Sequence, residues 1–183
     1  MDKTEARGLI SKGFKCLTAS YKSYQEKIHL NLIKDYLEKK NFSYVASYVS
    51  LPNEVSTEKI NKFLTDSKTH LCLPKINIKS NKLEFVLCNK KTQFKKNSLD
   101  ILEPISEETI HIEKLNAVIV PLRAFNRNFQ RLGFGGGFYD KTFLGVTQPE
   151  FIGLAYEFQF IKNLNLEDFD LKLDVIFTDK QLF

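Results

Sequence analysis

The stretch Gln130-Arg131-Leu132-Gly133-Phe134-Gly135-Gly136-Gly137-Phe138-Tyr139-Asp140-Lys141 holds four of the 8 glycines in this chain of 183 residues. Glycine loses more backbone entropy on folding than any other residue, so such a cluster indicates positive φ angles or a close approach by another group. Backbone N–H groups beside the Arg131 guanidinium favour an anion. The Asp140 carboxylate suits the divalent cation that such an anion brings. The stretch therefore predicts a phosphate-binding loop with a metal ligand; the alternative is a flexible turn between a strand and a helix.

Two common nucleotide-binding loops do not fit this stretch. In a dinucleotide fingerprint opened by Gly133 and Gly135, the third glycine would fall at position 138, which is Phe138. No Gly-Lys-Ser or Gly-Lys-Thr follows a glycine at the spacing of a P-loop. A nucleotide loop of another type is therefore expected.

Length and composition favour one soluble globular domain over residues 1–183. Hydrophobic residues make up 43% of the chain, and no apolar run approaches the roughly 18 residues that a membrane span needs. The start of the chain lacks the apolar core of a signal peptide. The 3 cysteines are scattered, which fits a reducing compartment. We therefore expect a cytoplasmic protein with no membrane partner.

The net charge of +5 is compatible with nucleic acid, and also with an enzyme that holds a polyphosphate and a second anionic substrate. The region from residue 75 to residue 96 is rich in lysine and can be a solvated hairpin edge, a binding face for an anionic tail or an RNA-binding surface. Its aromatic residues are too sparse for a base-stacking platform. Its lysines are Lys75, Lys79, Lys82, Lys90, Lys91, Lys95 and Lys96.

Strands alternate with helices along the chain, which predicts an α/β fold: a single three-layer domain whose mostly parallel or mixed β-sheet has helices on both faces. A ligand is then expected at the carboxyl ends of the strands, where the connection from Val120 to Gly133 lies. Residues 97–109 are expected to be irregular. Helices are predicted over residues 3–16, from a cap at Ser20 or Ser23 to about Asn41, and from a cap at Ser56; strands are predicted over 43–49, 70–73 (ended by Pro74), 76–87 as a hairpin, 117–120, 151–155 and 175–178.

The chain resembles the 5-formyltetrahydrofolate cyclo-ligase family, whose members are also called 5,10-methenyltetrahydrofolate synthetases. The resemblance rests on Val120-Pro121-x-x-Ala124-Phe125 followed by the run from Arg131 to Asp140. Other matching segments follow in the family's order, so the resemblance covers essentially the full length. They are Lys3-x-x-x-Arg7, Tyr48-x-x-x-Pro52-x-Glu54-Val55-x-Thr57, Leu73-Pro74, Glu103-Pro104 and the segment 166–179.

The resemblance implies an enzyme that closes 5-formyltetrahydrofolate to 5,10-methenyltetrahydrofolate, splits ATP to ADP and phosphate, and uses Mg²⁺. In the family the formyl oxygen takes the γ-phosphoryl group, N10 of the folate attacks, and phosphate leaves. Such chemistry needs positioning and charge neutralisation more than a protein nucleophile. The expected partners are ATP and 5-formyltetrahydrofolate, with or without a polyglutamate tail, and no nucleic acid; a monomer is expected. The alternative is a cyclo-ligase-like nucleotide- or phosphate-binding enzyme that acts on another substrate.

By resemblance, Lys3 and Arg7 contact the ATP phosphates, and Arg131 and Tyr139 are the catalytic candidates. We expect Arg131→Ala to weaken ATP binding and to spare folding. The alternative for Lys3 and Arg7 is a solvated pair on one face of a terminal helix. The full ATP-binding set is Lys3, Arg7, Arg131, Leu132, Gly133, Phe134, Gly135, Gly136, Gly137, Phe138 and Tyr139.

On the substrate side the resemblance assigns Val49, Glu54 and Phe138 to the folate. A carboxylate such as Glu54 can accept paired hydrogen bonds from the pterin ring; the alternative is an exposed loop glutamate. Asp140 and Asp170 match Mg²⁺ ligands. Asp140 can instead be a carboxylate at a helix N-terminus, and Asp170 a surface loop residue.

The chain departs from the family pattern at four positions. Leu122 and Phe129 stand where the family usually has glycine, Asn126 where it has Asp, and Phe169 where it has His. We therefore expect the turn between Phe125 and Arg131 to take another shape. Asn126 keeps a turn-forming side chain but loses a charge.

Overall fold

A computed structural model of the protein describes residues 1–167 and 170–180. Its helices are α1 (Lys3–Cys16), α2 (Ala19–Lys40), α3 (Glu58–Asp66) and α4 (Phe138–Thr142). Its strands are β1 (Tyr44–Ala46), β2 (His70–Asn77), β3 (Lys82–Cys88), β4 (Phe94–Lys96), β5 (Leu102–Pro104), β6 (Thr109–Ile110), β7 (Ala117–Val120), β8 (Ala124–Phe125), β9 (Arg131–Leu132), β10 (Glu150–Leu154) and β11 (Val175–Phe177).

A seven-stranded sheet of order β11-β10-β7-β1-β2-β3-β6 organises the molecule. Strands β11, β10, β7, β1 and β2 run parallel to one another, and β3 and β6 extend the sheet beyond β2 in antiparallel fashion. The smaller pairs β4–β5 and β8–β9 are antiparallel hairpins. The predicted α/β fold with a mostly parallel, mixed sheet is confirmed.

Strand β7 shows why the sheet must be covered on both sides. All its residues are buried, and successive side chains of a strand point to opposite faces. Ala117 and Ile119 join one core cluster, whereas Val118 and Val120 join the other. The apolar run that ends at Pro121 therefore forms a central strand, as predicted.

Helices cover the two faces unequally. The buried residues of α1, α2 and α3, such as Ile10, Ile33 and Ile60, pack in the first cluster. The second cluster includes Phe143, which follows α4, and the partly buried Phe138 and Tyr139 of α4 itself. Among the helices of residues 1–167 and 170–180, none is long and apolar enough to cross a membrane.

Two predicted helix caps are wrong. Helix α2 begins after Thr18, whose hydroxyl accepts a hydrogen bond from the Tyr21 N–H at 3.2 Å, so Ser20 and Ser23 lie inside the helix. Helix α3 begins after Thr57 instead of Ser56. The Thr57 hydroxyl does not cap that helix because it donates to the Tyr48 carbonyl at 2.5 Å.

Strand β2 continues through Pro74, although the proline was predicted to end it. Pro74 lies opposite Phe85 of β3, and β1 on the other side pairs no further than Cys72. The missing N–H of Pro74 therefore costs no ladder hydrogen bond. The prediction of an irregular segment over residues 97–109 is also wrong in part, because β5 and β6 lie within it.

Candidate active site

A cleft of about 580 Å³ opens where the parallel strands end. Tyr48 and Val49 follow β1 and Pro121 follows β7, and all three line the cleft. This is the sheet edge at which a ligand was predicted. The site residues singled out in the sequence all line it: Lys3, Arg7, Val49, Glu54, Arg131, Leu132, Gly133, Phe134, Gly135, Gly136, Gly137, Phe138, Tyr139, Asp140 and Asp170.

The glycine loop between β9 and α4 has the backbone that the sequence predicted. Gly135 has a φ of 108° and Gly137 a φ of 66°, a region that other residues rarely adopt. The Arg7 Nε donates to the Gly133 carbonyl at 3.0 Å. A Cβ atom on Gly133 would lie 2.8 Å from the Arg131 guanidinium. The loop is thus tied to α1 on one side and packed against Arg131 on the other.

Arg131 and Asp140 form an ion pair at the base of the loop. The Arg131 Nη2 lies 2.9 Å from the Asp140 Oδ1, and the two side chains are 3% and 24% exposed. The same carboxylate oxygen accepts from the Leu171 N–H at 3.0 Å. Burial lowers the pKa of Arg131, and the Asp140 charge opposes that shift. The expectation that Arg131→Ala spares folding stays a prediction, and the cost of breaking a buried ion pair argues against it.

Lys3 and Asp170 form a second pair at the cleft. The Lys3 Nζ lies 2.9 Å from the Asp170 Oδ2, which also accepts from the Glu167 N–H at 2.9 Å. Lys3 therefore lies at the cleft together with Arg7, and the two residues are not simply a solvated pair on the surface of a terminal helix. Asp170 is not a surface loop residue, since its side chain is 13% exposed.

Asp140 and Asp170 are the two carboxylates on the glycine-loop side of this cleft, which Glu54 and Glu103 also line. Within the described part of the chain, no group of three or more His, Cys, Asp or Glu side chains comes together. Mg²⁺ is usually held by one or two carboxylates together with phosphate oxygens and waters. The two aspartates fit that requirement, and each would share its carboxylate with the neighbouring Arg131 or Lys3.

Tyr139 presents a buried hydroxyl to the cleft. Among the described residues its oxygen has no hydrogen-bond partner, and burial with the nearby Glu54 charge raises the pKa of Tyr139. A phenol with a raised pKa keeps its proton and can donate a hydrogen bond. The Arg131 guanidinium lies 5.7 Å from the Tyr139 ring centre, so both catalytic candidates lie side by side.

Glu54 lies on the side of the cleft that follows β1. Its Oε2 accepts from the Leu51 N–H at 2.6 Å, so the side chain stabilises the turn from Leu51 to Glu54. Burial raises the pKa of Glu54 to about 7, and the Leu51 hydrogen bond and the Arg123 charge oppose that shift. Glu54 is therefore a half-buried carboxyl group in the cleft and not an exposed loop glutamate.

The surface beside Glu54 is apolar and was missed in the sequence. The β4–β5 hairpin is held over the cleft by Glu103, which is 5% exposed. Glu103 accepts from the Ile76 N–H at 2.8 Å and from the Asn97 side chain at 2.7 Å. No contiguous motif marks this wall because its residues are far apart in the chain. They are Pro74, Ile76, Leu83, Leu99, Ile101 and Leu102.

Three of the departures from the family pattern lie outside the cleft lining. Leu122 is buried in the core. The Asn126 Oδ1 accepts from the N–H groups of Asn128 and Gln130 at 2.9 and 3.2 Å. Phe129 has a φ of 59°, a left-handed conformation that favours glycine; the expectation that the turn between Phe125 and Arg131 takes another shape stays a prediction. Phe169 lies outside the described residues.

Arg123 is a further candidate that the sequence patterns did not reveal. It is 4% exposed and touches both α1 and the turn before Glu54, through the Arg7 and Asn53 carbonyls. The available signal was a charged residue inside the otherwise apolar run 117–125. A buried charge needs hydrogen-bond partners, which indicates a structural or functional network.

Comparison with known proteins places these features in a family. The model of the 5-formyltetrahydrofolate cyclo-ligase family matches residues 14–179. A 5-formyltetrahydrofolate cyclo-ligase of Haemophilus influenzae is 33% identical over 149 residues, which cover 79% of this chain and 78% of that protein. The NMR structure of Aquifex aeolicus 5,10-methenyltetrahydrofolate synthetase superimposes with a TM-score of 0.85 at 26% identity, over 98% of this chain and 91% of that one.

A second solved structure agrees with the first. The 5,10-methenyltetrahydrofolate synthetase of Mycoplasma pneumoniae superimposes with a TM-score of 0.76 at 26% identity, over 96% of this chain and 98% of that one. The sequence motifs, the fold and the cleft thus agree with the family match over most of the chain. This protein belongs to the 5-formyltetrahydrofolate cyclo-ligase family.

Proposed function

We propose that this chain converts 5-formyltetrahydrofolate to 5,10-methenyltetrahydrofolate with Mg²⁺-ATP and releases ADP and phosphate. One observation carries the proposal. A single cleft holds a cation-rich glycine loop on one side and a carboxyl group beside an apolar surface on the other. These are the features that a polyphosphate and a pterin require.

The nucleotide wall consists of Lys3, Arg7, residues 131–140 and Asp170. The Arg131 guanidinium and the Lys3 ammonium neutralise phosphate charge. Arg7 does the same while its Nε holds the loop at the Gly133 carbonyl. The loop residues Leu132, Phe134, Gly135, Gly136, Gly137 and Phe138 enclose the nucleotide with their backbone.

Mg²⁺ would be held by Asp140 and Asp170 together with the phosphate oxygens, and it would supply further neutralisation of the transferring phosphoryl group. The two carboxylates are already placed at the cleft by their pairs with Arg131 and Lys3. On phosphate binding, these cations turn in part from the carboxylates to the phosphates.

The folate wall consists of Val49, Glu54 and the apolar set Pro74, Ile76, Leu83, Leu99, Ile101 and Leu102. The Glu54 carboxylate accepts the paired N–H groups of the pterin's amino-pyrimidine edge. Val49 and Phe138 pack on the ring system. Because burial raises the Glu54 pKa to about 7, folate binding should weaken as the pH falls through that value.

The chemistry needs no protein nucleophile. The formyl oxygen attacks the γ-phosphorus and ADP leaves. N10 then attacks the formyl carbon, the carbon–oxygen bond breaks, and the phosphorylated oxygen leaves as phosphate, which takes up the N10 proton. Arg131 neutralises charge on the transferring group, and the Tyr139 hydroxyl donates a hydrogen bond to the oxygen that carries it. Both groups are fixed in advance by burial in the cleft wall.

The proposed setting is the cytoplasm, with small-molecule substrates, no nucleic acid or membrane partner, and a monomeric protein. The lysine-rich region 75–96 would attract a polyglutamate tail. Part of its charge is already paired, since Lys75, Lys90 and Lys96 contact Glu107, Asp66 and Asp100. The alternative of another substrate is not favoured by the departures Leu122, Asn126 and Phe129, because they lie away from the cleft lining.

An absorbance assay tests the proposed function. Purified protein with 5-formyltetrahydrofolate should raise the methenyltetrahydrofolate absorbance only when ATP and Mg²⁺ are both present, and phosphate should be released in equal amount. The matched controls omit ATP, omit Mg²⁺ or supply a non-hydrolysable ATP analogue. Freshly prepared, folded protein that produces no signal with both present would contradict the proposal.

A further inference from the structure

We propose that Arg123 is a positioning residue that couples the two walls of the cleft, so that one buried side chain fixes both the nucleotide-binding and the folate-binding segments. The inference rests on the proposed function, and it adds a residue outside the cleft lining. Arg123 lies just before β8, at the base of the β8–β9 hairpin that leads to the glycine loop.

The first contact of Arg123 is with helix α1. Its Nη2 donates to the Arg7 carbonyl at 3.2 Å and to the Ser11 hydroxyl. The Ser11 hydroxyl donates to the same Arg7 carbonyl at 2.9 Å. The guanidinium also lies 5.5 Å from the ring centre of Phe14. These contacts hold the turn of α1 whose Arg7 side chain binds the glycine loop.

The second and third contacts reach both walls directly. The Arg123 Nη1 donates to the carbonyl of Asn53, the residue before Glu54, at 3.0 Å. On the nucleotide side, the guanidinium lies 5.1 Å from the ring centre of Phe134, between Gly133 and Gly135. A cation over an aromatic ring is attracted to it. One planar group therefore touches α1, the Glu54 turn and the glycine loop.

Arginine suits this role because its planar fork offers several donors in fixed directions. A lysine would keep the charge but could not reach the Arg7 carbonyl, the Ser11 hydroxyl and the Asn53 carbonyl at the same time. Because the group is 4% exposed, water cannot replace the lost contacts easily. Without the Arg123 contacts, α1, the Glu54 turn and the glycine loop should move independently of one another.

Arg123 also acts on the charge of Glu54. The groups that face Glu54 are Arg123, the phenols of Tyr48 and Tyr139, and the Leu51 N–H. Arg123 is the charged group among these that favours the carboxylate, and it lowers the pKa of Glu54 against the effect of burial. Removing the charge at position 123 should therefore raise the pH at which folate binding is lost.

The test compares Arg123→Met and Arg123→Lys with Arg127→Met, a control at an exposed arginine in the turn of the same hairpin. Calorimetry measures the affinity for a non-hydrolysable Mg²⁺-ATP analogue and, separately, for 5-formyltetrahydrofolate. Arg123→Met should weaken both by about tenfold and Arg123→Lys by a smaller factor, because preorganisation is lost in both walls. The control should stay within about twofold for both ligands.

The pH dependence of folate binding gives a readout that a merely structural role would not move. Its midpoint, near 7 in the wild type by the raised Glu54 pKa, should rise by about half a unit in Arg123→Met and stay in place in Arg123→Lys. If Arg123→Met fails to fold, Arg123→Lys alone tests the inference. This variant should bind both ligands more weakly while the pH midpoint of folate binding stays unchanged.

Arg123 variants that bind both ligands like the wild type, or that lose one ligand alone, would overturn the inference. Failure of the proposed function looks different, since wild-type protein would then not bind 5-formyltetrahydrofolate. In that case the effect of Arg123 is still read from the affinity for the ATP analogue.

Discussion

The nucleotide wall and the folate wall face one cleft but are built in opposite ways. The nucleotide wall is mostly one run, residues 131–140, and it is held by the ion pairs Arg131–Asp140 and Lys3–Asp170. The folate wall is spread from Val49 to Leu102, and the Glu54 carboxyl group lies among apolar side chains. The contrast predicts that changes to the cations and to the loop backbone should affect ATP, whereas changes to Glu54 and to the apolar surface should affect folate.

Arg131→Met should give the largest difference between the effects on ATP binding and on folate binding. Loss of a buried, charge-assisted donor should weaken ATP binding by about a hundredfold, and folate binding should change little. Because Asp140 loses its partner, the free energy of unfolding should fall by about 2 kcal/mol. Calorimetry and urea unfolding measure the two effects.

Asp140→Asn added to Arg131→Met separates binding from folding when ATP binding is measured without Mg²⁺, since Asp140 is also a proposed metal ligand. The neutral amide no longer needs the guanidinium, so the double variant should regain stability without regaining ATP affinity. A variant pair in which ATP affinity returns together with stability would show that Arg131 acts only through the fold.

Glu54→Gln should weaken folate binding by about thirtyfold at pH 8 and leave ATP binding almost unchanged, because the amide replaces one of two acceptors with a donor. The difference from wild type should shrink at pH 6, where Glu54 is largely protonated, given its pKa near 7. Equal loss of both ligands would remove the assignment of Glu54 to the folate wall.

The same variant makes a prediction for stability. Folding raises the pKa of Glu54 from its ordinary value of 4.5 to about 7, so the folded state holds the proton more tightly than the unfolded state. Wild-type stability should therefore fall as the pH rises between those two values and then level off. Glu54→Gln should lack this loss. Its free energy of unfolding, relative to that of the wild type, should therefore be higher at pH 8 than at pH 4 by roughly 1–3 kcal/mol.

Gly135→Ala should have a smaller effect, confined to the nucleotide wall. Gly135 has a φ of 108°, and a Cβ there would lie 3.6 Å from the Arg7 guanidinium. The substitution should cost about 1 kcal/mol of stability and about tenfold in ATP affinity. Gly8→Ala is the matched control, because α1 has open space around Gly8; it should stabilise the protein by about 0.5–1 kcal/mol.

Leu102→Ser should have the smallest effect and should act on the folate wall alone. Leu102 is 41% exposed and lines the cleft, so its loss should weaken folate binding by about fivefold and leave ATP binding unchanged. Ile105→Ser is the control, since Ile105 is 49% exposed but does not line the cleft. Equal effects of the two substitutions would argue against a folate wall at the β4–β5 hairpin.

The two walls also differ in how far the sequence predicted them. The glycine loop was predicted residue by residue, because close spacing in the chain ensures closeness in space and because glycine is needed for the positive φ angles. The central strand β7 was equally clear, since a short β-branched run before a proline can satisfy its backbone only inside a sheet. Local patterns of this kind survive in the fold.

The remaining features depend on contacts between distant residues. Thr57 fails to cap α3 because its hydroxyl reaches Tyr48. Pro74 stays in β2 because β1, on the side of the proline nitrogen, pairs only as far as Cys72. The apolar folate wall and the buried Arg123 are assembled from segments far apart in the chain. The charge inside the apolar run 117–125 marks Arg123 as unusual, but no spacing rule within one segment reveals which segments it joins.

The central claim is that the two walls bind two ligands at once, and a ternary titration tests it most directly. Wild-type protein is saturated with a non-hydrolysable Mg²⁺-ATP analogue and titrated with 5-formyltetrahydrofolate, while the bound nucleotide is followed by fluorescence. The account predicts that one folate binds per chain and that the nucleotide stays bound. Displacement of the nucleotide as folate binds would contradict it, because both ligands would then occupy the same wall.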